Sequence, residues 1–155
     1  MSIAAVKEYL KPFGLDGKIL QFSVSSATVD LAAKALGVEP ARIAKTLSLR
    51  AGDGCLLLVT AGDVKIDNHK FRAVFQMKAR MLTAEDALRM TGHAVGGVCP
   101  FALPEGVDVY ADESLLRFDT VFPACGSGNS AIELRPEELE RYAAIKRWVD
   151  VCRLP

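Results

Sequence analysis

The stretch that decides the fold is IAKTLSLRAGDGCLLLVTA, residues 43–61. Residues 43–49 and 55–60 are mostly aliphatic and β-branched, a composition that favours strands. The four residues between these runs, Ala51 to Gly54, contain two glycines and an aspartate, which are typical of a tight turn. We therefore predict a β-hairpin over this stretch.

Working outward from the hairpin, apolar side chains at helical spacing and capping residues predict five helices. They are residues 3–10, a helix that Ser25, Ser26 or Thr28 can cap and that ends before Gly37, residues 67–75, a helix with a capping box at Thr83 that ends at Gly92, and a last helix that begins at Pro136. The last helix is expected to have Lys146 and Arg147 near its end, where positive charge suits the helix dipole.

Further short strands are predicted at residues 19–22, 107–110, 120–122 and 131–134. Strands and helices alternate without a regular βαβ rhythm, so we expect a mixed α/β (α+β) fold. Its sheet should be mixed and largely antiparallel, with helices around it, unlike a Rossmann sheet. With 155 residues and no internal repeat or linker, residues 1–155 should form a single domain.

The composition is that of an ordinary globular protein, with 50% hydrophobic and 25% charged residues. No apolar run is long enough to span a bilayer, and charged residues interrupt the N-terminal stretch where a signal peptide needs an apolar core. We therefore expect a cytoplasmic protein with no membrane partner. The four cysteines, with no C-x-x-C pair, are expected to be reduced and to bind no metal.

Charge is unevenly distributed although the formal net charge is zero. Residues 65–80 hold five basic side chains against one acidic one, and residues 102–119 show the reverse balance. The basic residues are Lys65, Lys70, Arg72, Lys78 and Arg80. Both segments are typical of solvated faces, but the basic one can also meet phosphates, for which Lys65, Lys70 and Arg72 are candidates.

The sequence lacks the common catalytic motifs, including G-x-S-x-G, a P-loop and H-E-x-x-H. Two glycine-rich stretches, residues 92–101 and 123–130, remain as candidates because glycine allows backbone N–H groups to approach an anion or a carbonyl closely. Lys45 is a single charge within an apolar strand. It can be an edge-strand lysine or a lysine held at the mouth of a pocket.

Several of these residues give the chain a resemblance to a known family. They include SAT at 26–28, RIAKTL at 42–47, VTAGD at 59–63, TGH at 91–93, VGGVCPF at 95–101 and residues 126–134. In this order and at this separation they resemble the YbaK/ProX family. That family comprises free-standing relatives of the editing domain inserted in bacterial prolyl-tRNA synthetases.

The resemblance implies a barrel-like mixed sheet flanked by helices, and hydrolysis of the ester that joins a mischarged amino acid to tRNA. The expected tRNA is tRNA(Pro), and Lys65, Lys70 and Arg72 are the candidates for contact with it. It implies that Lys45 lies in the pocket as the catalytic residue. The substrate-binding residues implied with it are Thr46, Gly96, Gly97, Gly126, Ser127 and Gly128. No cofactor and no metal is implied. The partners would be aminoacyl-tRNA and, transiently, prolyl-tRNA synthetase.

The sequence leaves the amino acid that is removed open, and it allows two other functional hypotheses. Residues 125–131 lack the basic residue found there in Cys-tRNA(Pro) deacylases of this family, so cysteine, alanine, serine, threonine or a non-protein amino acid could be removed. A catalytically silent module that binds tRNA or a synthetase is the alternative to an enzyme. A thiol redox protein using Cys99 and Cys125 is a third reading, without a thiolate-stabilising neighbour to support it.

Overall fold

A computed structural model describes residues 2–155 and confirms the hairpin at their centre. Strand β2, Ile43–Ala51, pairs antiparallel with β3, Gly54–Ala61, and Ala51 faces Gly54 at the turn. Gly52 in this turn has a φ of 58°, a conformation that side chains with a Cβ rarely adopt. The tight turn fixes the register, and the register places Lys45 opposite Thr60.

The hairpin is the middle of a five-stranded sheet with the order β6-β2-β3-β5-β8. The added strands are β5, Asp108–Asp112, β6, Phe122–Pro123, and β8, Arg147–Val149. All three lie parallel to their neighbours, so β2–β3 is the antiparallel pair of this sheet. The expected mixed, barrel-like sheet with helices around it is confirmed, with more parallel pairing than expected.

Two short antiparallel ribbons and one backbone segment extend the sheet. Strand β1, Leu20–Gln21, pairs with β7, Ser130–Ala131, and β4, Lys65–Ile66, pairs with β9, Cys152–Arg153. Residues 80–82 run beside β2, where Arg50 N–H donates to the Arg80 carbonyl and Leu82 N–H donates to the Ser48 carbonyl. This segment and β6 therefore cover the edge of β2 that β3 leaves open.

The five predicted helices are present in the described residues, and three of them are capped by side chains as their sequences suggest. They are α1, Ser2–Leu10, α2, Val29–Leu36, α3, Asn68–Phe75, α4, Ala84–Thr91, and α5, Pro136–Tyr142. Thr28, Asp67 and Thr83 accept hydrogen bonds from the first turns of α2, α3 and α4. None of the helices in residues 2–155 is both long enough and apolar enough to cross a bilayer.

The expected end of α5 is wrong. The helix stops at Tyr142, and Ala144 has a φ of 51°, which turns the chain away from the helix axis. Arg147 begins β8 instead, and Lys146 forms an ion pair with Asp108 at 3.1 Å. The run of Ile145, Trp148 and Val149 favours a strand once β5 offers an edge to pair with.

Burial explains why the hairpin organises the molecule. Residues Cys55–Ala61 of β3 are all buried, and Leu57, Leu58 and Val59 have no exposed surface. A second, smaller apolar cluster packs α2 against the start of β2 and against β6 through Ala32, Ala33, Ile43 and Phe122. This second cluster holds the N-terminus of α2 close to Lys45, where the main pocket opens.

Candidate functional site

The main pocket lies where α2, β2, β6 and the two glycine loops meet, and its volume is about 210 Å³. Its wall is largely apolar and includes Val29, Ala32, Ile43, Leu82 and Phe122. Of the residues that line it in the described chain, Lys45 carries the only positive charge. A pocket with apolar walls and few polar groups is typical of a small-molecule site.

A hydrogen bond to the backbone fixes the side chain of Lys45. It is half-buried, and its Nζ donates a hydrogen bond to the Val64 carbonyl at 2.6 Å. Burial lowers the pKa of the Lys45 ammonium, while the nearby Cys152 and Asp63 raise it and Lys65 lowers it further. The lysine is therefore neither a free surface charge nor one half of an ion pair, and a carbonyl acceptor leaves donors for a ligand.

The two glycine loops are pressed against each other. A Cβ at Gly97 would lie 2.8 Å from both the carbonyl carbon of Gly126 and the nitrogen of Ser127. Real Cβ atoms essentially never come so close to backbone, so this contact requires glycine. At Gly96, where φ is 93°, a Cβ would lie 3.2 Å from that of Ala27. The loops that the sequence singled out therefore meet in space.

The predicted site residues do not all face the same cavity. Lys45, Thr46 and Gly96 line the main pocket, whereas Gly97 is buried beneath it. Gly126 and Ser127 line a second cavity of about 550 Å³ next to Ser2 of α1. Gly128 lines neither cavity but accepts a hydrogen bond from the Ser26 N–H at 2.6 Å. This bond ties the second loop to the segment before α2.

Two buried hydroxyl groups border the main pocket without a hydrogen-bond partner among residues 2–155. They are Ser26 Oγ and Thr46 Oγ1. A buried hydroxyl without a partner costs roughly 1–3 kcal/mol, and such groups are uncommon in native proteins. The sequence suggested Thr46 through the family motif. Ser26 was expected as a candidate helix cap and stands in the SAT motif of the resemblance, but it was not predicted as a site residue.

His93 anchors the first glycine loop, residues 92–101, through hydrogen bonds of its imidazole. It is buried, its Nε2–H donates to the Phe101 carbonyl at 2.8 Å, and Ser2 Oγ donates to its Nδ1. These bonds assign the neutral imidazole with the proton on Nε2. Burial lowers the pKa of His93, although the Phe101 carbonyl partly opposes this shift. The histidine thus fixes both ends of the loop and does not face the main pocket.

The cysteines offer no accessible thiolate or metal site. All four are buried and unbridged, and burial raises the pKa of Cys99 to about 12 and that of Cys125 still further. Within residues 2–155, no three His, Cys, Asp or Glu side chains come close enough to hold a metal ion. The redox reading therefore receives no support from the environment of Cys99 and Cys125.

The basic segment is divided in space. Lys70 forms an ion pair with Asp150 at 3.0 Å, donates to the Cys152 carbonyl, and lines a third cavity. Lys65 and Arg72 are exposed on β4 and α3, and neither lines the main pocket. Arg80 is also exposed and immediately precedes Met81, which does line that pocket. The end of the segment, and not its beginning, is continuous with the pocket.

Fold and site together define a mixed α/β domain with one lysine in an apolar pocket closed by two glycine loops. The model of the aminoacyl-tRNA editing domain matches residues 24–142. The chain therefore belongs to the aminoacyl-tRNA editing domain family, and an editing-related role follows.

The chain is similar to two known proteins in sequence and to one solved structure in fold. It is 51% identical over 154 residues to the uncharacterized protein YwhH of Bacillus subtilis, which covers 99% of this chain and 98% of that protein. It is 33% identical over 91 residues to proline–tRNA ligase of Thermotoga maritima, a match that covers 57% of this chain but 15% of the ligase. A crystal structure of a protein provisionally assigned as a trans-editing enzyme for prolyl tRNA synthetase superimposes with a TM-score of 0.87 at 27% identity, covering 98% of this chain and 97% of that one.

Proposed function

We propose that this protein hydrolyses the ester bond of a mischarged aminoacyl-tRNA in trans, with tRNA(Pro) as the tRNA. The observation that carries the proposal is the placement of Lys45, the one basic residue among those that line an apolar pocket, beside a glycine loop in an editing-domain fold. The similarity to a proline–tRNA ligase and to a protein assigned to prolyl-tRNA editing supports the choice of tRNA. The cytoplasm is the compartment that suits such a substrate.

The chemistry requires an oriented water and donors for the developing negative charge. Water adds to the ester carbonyl carbon, the carbonyl oxygen becomes an oxyanion, and the bond to the ribose oxygen then breaks as that oxygen takes a proton. Backbone N–H groups of the glycine loops can stabilise the oxyanion. No enzyme nucleophile is needed for this route.

Lys45 would bind the substrate oxygens and polarise the ester. Its ammonium keeps donors beyond the one bonded to Val64, and its position in β2 is fixed by the hairpin register. Thr46 and Ser26 would add their unpaired hydroxyls at the same pocket. Gly97, Gly126, Ser127 and Gly128 would act by shaping the two loops, because their packing leaves no room for larger residues at Gly97 and Gly126.

A catalytically silent binding module is the second candidate, and one observation favours it. The pocket wall in residues 2–155 contains no carboxylate or imidazole that could take a proton from water. In that case the pocket would hold the aminoacylated end of tRNA, or the module would bind prolyl-tRNA synthetase, without hydrolysis. The two candidates differ in whether free amino acid is released.

Mischarged tRNAs test the proposal directly. Wild-type protein should release the amino acid from at least one member of a panel that carries cysteine, alanine, serine, threonine or a non-protein amino acid on tRNA(Pro). Lys45→Ala should lower that rate by at least about tenfold, the loss expected when one charged contact to the transition state is removed. Lys11→Ala removes an exposed lysine at the end of α1 and should have no effect.

The outcomes separate the candidates. No release from any tRNA by the wild type, together with measurable binding of tRNA, would establish the silent module. Full activity in a folded Lys45→Ala protein would remove Lys45 from the site.

A further inference from the structure

The mouth of the main pocket carries two large apolar side chains that are exposed to solvent. Met81 is 58% exposed and Val95 is 68% exposed, and both line the pocket. The other large apolar residues of the wall are buried or half-buried. Single exposed apolar residues are common, but two at the entrance of one cavity mark a surface that a ligand can cover.

Both side chains stand on backbone that is held in place. Met81 lies in the segment 80–82, which pairs with β2 on either side of it through Arg50 and Ser48. Val95 lies in the loop whose ends are fixed by the hydrogen bonds of His93, and the Gly97 N–H donates to the Ala94 carbonyl at 2.9 Å. The two residues therefore reach the pocket from two separate segments of the chain, each held by backbone hydrogen bonds.

Basic residues stand close to Met81 in the chain. Arg80 immediately precedes Met81 and Lys78 is three residues before Met81, and both basic residues are exposed. A flat aromatic base stacks on apolar side chains, and the thioether of a methionine makes favourable contacts with aromatic rings. A phosphate attached to the same nucleoside would be attracted to the neighbouring guanidinium. Apolar and basic groups side by side therefore suit a nucleotide.

We propose that Met81 and Val95 bind the adenine of the terminal nucleotide of aminoacyl-tRNA, with Arg80 contacting a phosphate of the same strand. This inference rests on the proposed function, since it places the acyl group in the pocket beside Lys45. The ester joins that acyl group to the ribose, so the base lies one sugar ring away from the ester. A base at that distance reaches the entrance, where the two apolar side chains are exposed.

Binding of small nucleotides tests the base site without any need for hydrolysis. Wild-type protein should bind adenosine 5′-monophosphate about tenfold more tightly than ribose 5-phosphate, measured by calorimetry or by NMR titration. The double variant Met81→Ser/Val95→Ser should lose this preference. Leu116→Ser is the matched control, because Leu116 is 53% exposed but does not line the pocket, and it should keep the preference.

Kinetics then identify the source of the base. With the tRNA that the wild type deacylates, the double variant should raise KM about tenfold and change kcat less. Its loss on an amino-acid methyl ester, which has no base, should be smaller than its loss on aminoacyl-tRNA. Equal binding of the two phosphates by the wild type would overturn the proposal, as would an unchanged KM for aminoacyl-tRNA in a variant that no longer prefers the nucleotide.

The two proposals fail in different ways. If the wild type hydrolyses no mischarged tRNA but prefers the nucleotide in a Met81- and Val95-dependent manner, the base site stands and the hydrolase fails. If hydrolysis is found and the preference is absent, the hydrolase stands and the base site fails.

Discussion

The pocket at Lys45 and the cavity at Lys70 differ in how their charges are satisfied. The Lys70 cavity is the larger, about 440 Å³ against about 210 Å³, and it is lined by more charged residues. The charges at its centre are matched, however. Lys70 pairs with Asp150, and the carboxylate of the 2%-exposed Asp112 accepts the N–H groups of Ser114 and Val151. In the smaller pocket one ammonium and two hydroxyls lack matching side chains.

The two lysines show the same difference in their acid–base behaviour. Hydrogen bonding to Asp150 raises the pKa of Lys70, whereas burial lowers the pKa of Lys45. A lysine that is paired with a carboxylate contributes to structure, while a desolvated lysine with no carboxylate bonded to it gains from binding an anionic or polar ligand. Neither cavity volume nor the number of charges therefore identifies the site. Groups without partners identify it.

The largest expected effect comes from adding a side chain where the two glycine loops are in contact. Gly97→Ala places a Cβ 2.8 Å from the backbone of Gly126 and Ser127, which cannot move aside as a side chain could. We expect a loss of roughly 1–3 kcal/mol in the free energy of unfolding, the usual cost of overpacking, and a larger fractional loss of deacylation. Urea unfolding and initial rates on the same preparations measure the two effects.

Gly17→Ala is the control for that substitution. Gly17 is exposed, and no atom lies within 4 Å of where its Cβ would be. Its stability and activity should stay close to those of the wild type. A Gly97→Ala protein with unchanged activity would mean that the packing of the two loops does not shape the pocket.

A smaller effect is expected from His93, and it depends on pH. Burial keeps the pKa of His93 in the folded protein below its unfolded value of about 6.5. The unfolded chain therefore takes up the proton first. The contribution of His93 to stability is fully present above that value and is lost as the pH falls below it. The slope from this residue is at most about 1.4 kcal/mol per pH unit.

Replacing each histidine in turn isolates this slope. His93→Gln should flatten the fall in the free energy of unfolding between pH 7 and pH 5. Thermal or urea unfolding at several pH values measures this fall. His69→Gln removes the other histidine, which is exposed on α3, and should leave the slope as it is in the wild type. If the slope survives in His93→Gln and disappears in His69→Gln, the loop is not anchored by a neutral imidazole.

What the sequence could predict depended on how local the cause was. The β2–β3 hairpin follows from a run of strand-forming residues and a glycine turn, all within residues 43–61. Helix starts followed from caps such as Thr28 and Thr83. The end of α5 did not follow, because Arg147 enters a strand only where β5 provides an edge.

The site was predictable in its motif residues and not in its surroundings. Lys45, Thr46 and Gly96, which the resemblance names together, line one pocket, and their roles in substrate binding and catalysis stay predictions. Ser26 and Val95 stand in motifs of the resemblance but were not named as site residues, and Met81 joins the pocket through long-range packing that no spacing in the sequence reveals. The basic segment showed the opposite problem, since its five charges are neighbours in sequence, but Lys70 lines the third cavity and the other four are exposed on the surface.

The smallest expected effect compares the two ends of that basic segment. Each phosphate contacted by a basic residue adds about 0.7 to 0.9 to the slope of log affinity against log salt, so losing two contacts flattens it by about 1.4 to 1.8. Lys78→Ala/Arg80→Ala, beside Met81, should show this change for tRNA binding. Lys70→Ala/Arg72→Ala should show less, because Lys70 already neutralises Asp150. Filter binding at several salt concentrations measures both. A flatter line for the Lys70/Arg72 pair alone would place the tRNA phosphates on α3, at the charged cavity, and would reverse the roles of the two ends.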